Sequence, residues 1–155
     1  MFYKKMTAKK IGWIFVGIQF IIIVPMILLP DRTDWALEDL SKFGGYTIMG
    51  LGAVIMTISA IALGPSLTAS PEPKGGGELI TNGLYRFVRH PIYTGLLIFL
   101  SGYVLKSRSF WVAGLFIVFS VFLHFKANWE EKRLIAVYPE YSDYMKTTGR
   151  ILPWL

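Results

Sequence analysis

The chain has 155 residues and a formal net charge of +6, with 54% hydrophobic, 15% aromatic and only 17% charged residues. At a mean hydropathy of +0.49 it has too few polar groups to coat a water-soluble globule, and its length suggests one domain. There is no cysteine and the imidazoles are His90 and His124 alone, which excludes a disulfide framework, a thiolate metal site and a multi-histidine metal site. In so apolar a chain the basic excess points to cytoplasmic loops and anionic lipid rather than to nucleic acid.

Residues 1–10 carry Lys4, Lys5, Lys9 and Lys10 without an acid, and Gly12–Leu29 is an uncharged run of 18 residues, long enough to approach a membrane span. The run exceeds a usual signal-peptide core and no A-x-A-like site follows it, so it is read as a span, kinked at Pro25. Residues 30–45 are polar and acidic on balance. Tyr46–Gly64 is a second uncharged span, whose Gly50, Gly52, Ala53, Ser59, Ala60 and Gly64 suit close helix packing in lipid. Pro65–Asn82 reads as a Pro/Gly/Ser-rich loop; its Gly75-Gly76-Gly77 run lacks the spacing of a nucleotide-binding loop, and its last part is expected to fold over the motif that follows. Pro91–Leu105 and Phe110–Phe125 are two further apolar segments, joined by the tight polar turn Lys106–Ser109 that favours an antiparallel helical hairpin. His124 is read as an interfacial or packed residue rather than a ligand.

Between the loop and the third segment lies G-L-Y-R-F-V-R-H-P-I-Y-T-G, residues 83–95. Arg86, Arg89 and His90 bring cationic or titratable nitrogens, and Tyr85 and Tyr93 bring rings with hydroxyl tips. Pro91 suits the first turn of a helix. Flanking basic residues often do no more than snorkel to lipid headgroups. A polar cluster at the mouth of a membrane helix is nevertheless costly unless it is satisfied, so this stretch is a functional candidate.

Counting basic residues sets the topology. With the amino terminus inside, the inner segments hold twelve Lys/Arg and the outer ones four, which places both ends in the cytoplasm. The loop and the tail after Phe125 then share one side. That tail begins K-A-N-W-E-E, in which Lys126 and Glu130 share a helix face and Glu131 points elsewhere. Alone, this would be a solvated helix with i,i+4 pairing. The hairpin brings it back beside Arg89, His90 and Tyr93, so two acids face a basic, aromatic cluster, an arrangement suited to a small zwitterion bearing an aromatic base.

G-x-Y-x-x-x-R-H-P-x-Y-x-G, a hairpin, E-E-x-x-L and Y-P-E-Y-x-x-Y, with the L-G-x-x-L-T-x-x-P approach and a final R-I-L-P, resemble the isoprenylcysteine carboxyl methyltransferase family over residues 63–153. Membrane phospholipid methyltransferases share the R-H-P and E-E features. The resemblance implies S-adenosylmethionine as methyl donor. Leu79 and Ile80 would line its adenosine pocket, Tyr85, His90, Pro91, Ile92 and Tyr93 would contact it, and Glu130 would hold it from the other helix. Arg89 and Glu131 are the candidates for catalytic roles, and Lys126 falls where the eukaryotic enzymes place a substrate-contacting arginine.

The expectation is therefore an all-α integral membrane protein of about four transmembrane helices, with a C-terminal helical hairpin and a cytoplasmic cofactor site. It would comprise an N-terminal two-helix region (1–64) and a methyltransferase core (65–155). The expected activity is methyl transfer to a lipophilic acceptor, a prenylcysteine-type carboxylate first and a phospholipid amine or small thiol or carboxylate second, without metal or nucleic acid. A carboxylate acceptor needs no general base; an amine would need Glu131 or His90. A non-enzymatic scaffold explains the spans but not a convergence of Tyr85, His90, Tyr93, Glu130 and Glu131. A transporter is disfavoured because the first two spans lack the acid or base of a midplane site.

Overall fold

The computed structural model describes residues 2–32, 35, 38–64 and 79–153, with side chains from Lys9 onward. The expected glycine run at Gly75–Gly77 and the approach to the motif up to Glu78 lie outside the described residues. Among the described residues five α-helices follow one another: α1 (Phe2–Leu28), α2 (Glu38–Leu63), α3 (Pro91–Ser107), α4 (Phe110–Val137) and the short α5 (Tyr141–Thr147). A 3₁₀ turn, Gly83–Arg86, precedes α3. Among the described residues the sole β-type pairing is an isolated parallel bridge between Val88 and Gly149.

Among the described residues three helices are long and apolar enough to cross a membrane, over Lys9–Leu28, Glu38–Leu63 and Phe110–Val137. The third expected span, α3, has 17 residues and so reaches about 25 Å, just under the roughly 30 Å of a hydrocarbon core. α1 continues through Pro25 to its end at Leu28. α2 starts earlier than its apolar run because Glu38 and Asp39 occupy the first turn, where they complement the helix dipole, and Glu38 pairs with Lys42 at 2.7 Å. The α3–α4 turn is as tight as its composition suggests, with Arg108 in the left-handed region at φ 50°. α4 does not end at Phe125 but continues to Val137, carrying Lys126, Glu130 and Glu131 into the interior.

The helices pack as α1 against α4 and α2 against α3, with a lighter α3–α4 contact closing the bundle. Met26, Leu100, Val112, Phe119 and Leu123 form the buried apolar centre. Large side chains such as Trp13, Phe20, Ile21, Phe43, Leu51, Ile61, Trp111 and Ile117 point outward, as they do when lipid is the solvent. The α2–α3 seam is made of glycine: Gly45 lies on Gly102, and Gly52 on Gly95. Gly45, Gly52 and Ser59 recur every seven residues, as do Gly95 and Gly102, so one face of each helix stays on its antiparallel partner. Of the small residues first read as packing positions, Gly52 and Ser59 are buried in α2, whereas Gly50 and Gly64 have open space beside them.

Candidate functional site

The site is assembled by three pieces of chain. The first is the 3₁₀ turn and the start of α3, where His90 occupies the N-cap position and Pro91 opens the helix. The second is the interior of α4 from Lys126 to Glu131. The third is the segment after α5, which runs alongside the first: Arg89 N–H donates to Gly149 O at 2.8 Å, and His90 N–H to Arg150 O at 3.0 Å. Thr94 Oγ1 donates to Ile151 O at 2.6 Å. Those bonds satisfy main-chain groups that the irregular approach to α3 would otherwise leave buried and unpaired.

Within that frame the two glutamates face different partners, as a one-residue step along a helix requires. Glu130 accepts a 2.5 Å hydrogen bond from the Tyr93 hydroxyl, and its other oxygen lies 3.6 Å from His90 Nδ1. Glu131, with its side chain 2% exposed, receives Arg89 Nε at 2.8 Å on one oxygen and Arg150 Nη2 at 2.6 Å on the other. His90 Nε2 lies 3.4 Å from Glu131 but off hydrogen-bond geometry, and is buried without a hydrogen-bond partner. The His90 and Tyr93 rings stack at 5.2 Å and 4°. Arg89, His90, Tyr93, Glu130 and Glu131 are thus brought together, whereas among the described residues no hydrogen bond or ring contact joins Tyr85, also expected to converge here, to them.

Other candidate residues take separate positions. Tyr85 is buried with its hydroxyl 3.4 Å from Ser59 O on α2, and its own carbonyl accepts the Tyr144 hydroxyl. Burial pushes both phenols up to about 12, so each remains a neutral donor at physiological pH. Pro91 is fully buried, while Ile92, Leu79 and Ile80 are half-buried. Among the described residues no hydrogen bond or ring contact ties Leu79 or Ile80 to the cluster. Lys126 does not pair with Glu130 as i,i+4 spacing would suggest. It donates instead to Gln19 Oε1 on α1 at 2.8 Å, and its ammonium sits 5.2 Å from the centre of the Tyr93 ring.

Two participants escaped the sequence reading. Arg150 stands in the R-I-L-P signature, but nothing local connects it to Glu131, 19 residues upstream. Gln19 is a lone amide in an uncharged span, a signal that polar residues in membrane segments generally deserve. His124, expected to be interfacial or packed, is exposed with Nε2 at 3.3 Å from Arg150 Nη1.

Helices with outward apolar surface and a buried ionised cluster at one end of a hairpin define an integral membrane protein with an embedded polar site. Residues 40–141 match the phospholipid methyltransferase (PEMT) family, and the chain belongs to that family of membrane methyltransferases. Its fold is similar to that of the eukaryotic intramembrane Ras methyltransferase ICMT (isoprenylcysteine carboxyl methyltransferase) solved without a monobody, with a TM-score of 0.68 at 20% identity. The superposition covers 97% of this chain and 52% of that one, so the chain spans about half the length of the solved structure. No curated protein matches it.

Proposed function

We propose that the protein transfers a methyl group from S-adenosylmethionine to a lipophilic acceptor at the cytoplasmic side of the membrane. The observation that carries this reading is a buried imidazole between two buried acids on the α3–α4 hairpin of a methyltransferase family member: His90 Nδ1 faces Glu130, and its Nε2 is buried without a hydrogen-bond partner. The residues fit such a donor. Glu130 offers a carboxylate to an amine, His90 Nε2 is a polar atom in want of a partner, and Tyr93, Pro91 and Ile92 supply aromatic and apolar walls. Leu79 and Ile80 stand at the entrance to the 3₁₀ turn, where an adenosine would find apolar cover.

When bound, S-adenosylmethionine would supply an electrophilic sulfonium methyl group, open to in-line attack by the acceptor atom with S-adenosylhomocysteine as the leaving group. This chain's residues align the partners and exclude water. Arg89, Glu131 and Arg150 act in this reading as a clamp that positions His90, because both oxygens of Glu131 are already committed to guanidinium groups. The His90–Glu130 pair is then the group able to receive a proton from an amine acceptor. A prenylcysteine-type carboxylate is the first acceptor proposed, supported by the likeness in fold. A phospholipid amine is the second, supported by the family match.

Calorimetric titration of the detergent-purified protein with S-adenosylhomocysteine tests the donor site. Saturable binding is expected, weakened at least about tenfold by Glu130→Ala and by His90→Ala, since each removes a buried polar partner. Absence of binding by well-folded wild type would end the methyltransferase reading in favour of a scaffold. The proposed orientation has its own check, because the chain is free of cysteine. In intact cells an impermeant thiol reagent is expected to label Asp39→Cys and to spare Ser142→Cys, both at exposed positions; the reverse pattern would invert the topology.

A further inference from the structure

Lys126 is 5% exposed and lies inside the α4 span, yet among the described residues no carboxylate stands within ion-pair distance of its ammonium. The nearest acid on its own helix face, Glu130, is taken up by Tyr93 and faces His90. An ammonium has three N–H donors. One goes to Gln19 Oε1 at 2.8 Å, and the ring of Tyr93 faces the charge at 5.2 Å. A buried cation whose contacts are one neutral amide and one ring face is costly, and the deficit is an anion.

Gln19 comes from the middle of the α1 span, and α1 precedes the family-matched region 40–141. The helix is fixed against α4 around this contact, with Phe15 at 6.0 Å from Phe122 and 5.4 Å from Trp129, ring centre to ring centre. Its amide therefore meets Lys126 in a defined register rather than by snorkelling.

We infer that Gln19 is a specificity-determining residue. By holding Lys126 from α1 without neutralising it, Gln19 reserves the ammonium for the anionic group, carboxylate or phosphate, of a membrane-delivered acceptor. The neutrality of the amide is essential, because a carboxylate at this position would hold the lysine more firmly while cancelling the charge that the acceptor is to meet. The inference deepens the proposed acceptor end of the site and takes its biological sense from that reading. Its test does not depend on turnover.

The full chain in maltoside micelles is titrated calorimetrically with S-farnesyl-3-mercaptopropionate, dodecyl phosphate and dodecanol, and separately with S-adenosylhomocysteine. Wild type is expected to bind at least one of the two anionic amphiphiles about tenfold or more tightly than the neutral alcohol. The one preferred separates a carboxylate from a phosphate acceptor. Gln19→Glu is expected to reduce that preference to nothing while leaving S-adenosylhomocysteine affinity within about twofold of wild type. If Gln19 served packing alone, Gln19→Glu would keep the hydrogen bond to Lys126 and bind the anionic probes as wild type does, which would overturn the proposal. Equal binding of charged and neutral probes by wild type would overturn it as well. Loss of S-adenosylhomocysteine binding in Gln19→Glu, with amphiphile binding unchanged, would give the anion position to the donor's carboxylate and overturn the acceptor assignment. Failure of wild type to bind S-adenosylhomocysteine at all sinks the methyl-transfer reading separately, whatever the amphiphiles do.

Discussion

Replacing Glu131 with alanine is expected to destabilise the protein by about 3–5 kcal/mol, the usual cost of breaking a buried ion pair by removing one partner. The carboxylate is the common counter-ion of Arg89 and Arg150, whose side chains are 8% and 20% exposed, so its loss strands two guanidinium groups at once. Arg89 retains the carbonyls of Met145 and Thr148, which hold it in place but do not neutralise it. For a chain of this size a loss of 3 kcal/mol corresponds to a fall of roughly 10 °C in unfolding midpoint, read by tryptophan fluorescence in detergent. Glu131→Gln keeps the shape and one acceptor oxygen, and its loss is expected to be smaller. A group acting solely as a general base would give the opposite pattern, with alanine and glutamine equally inactive and both stable. A double-mutant cycle of Glu131→Gln with Arg150→Gln separates the two roles: an interaction free energy near zero would show that the clamp does not hold the tail.

The same residue marks where local reading of the sequence stops. The apolar segments, the Lys106–Ser109 turn and the return of α4 toward His90 were legible, because an uncharged run bounded by charges or glycine is written in contiguous residues. That Glu130 and Glu131 point in different directions was legible too, from the hundred-degree step between neighbours on a helix. Which individual partner each charged residue beyond Phe125 takes was not. K-A-N-W-E-E-K-R has the look of a solvated helix, and its burial is decided by groups far along the chain: Arg89 for Glu131, Tyr93 for Glu130 and Gln19 for Lys126. Pairings over 42, 37 and 107 residues leave no periodic trace in a single sequence. The α2–α3 seam was half legible. Small residues were recognisable as a class, but Gly50 and Gly52 look alike until the seven-residue spacing to Gly45 and Ser59 is set beside that of Gly95 and Gly102.

That seam carries the second large effect. A Cβ placed on Gly52 would lie 2.4 Å from Phe99 N and 2.6 Å from Gly95 O, and one on Gly95 would lie 2.8 Å from Gly52 O. These obstacles are mainly backbone, so no rotamer change relieves them and the helices must separate along the seam. Gly52→Leu is expected to cost more than the 1–3 kcal/mol typical of an overpacked core, since it forces apart two whole helices rather than one side chain. Gly50→Ala, two residues away with nothing within 4 Å of the added methyl, is the control and is expected to be neutral or stabilising through helix propensity. The consequence reaches the site because α3 carries Tyr93 one turn from its start, while α2 holds Tyr85 through Ser59 O. Moving α3 off α2 therefore disturbs both tyrosines at once. Gly95→Leu is accordingly expected to lose S-adenosylhomocysteine binding even at temperatures where the helices remain formed by circular dichroism. If it binds as wild type does, the glycine seam serves helix association alone and the site is positioned from α4 and the tail.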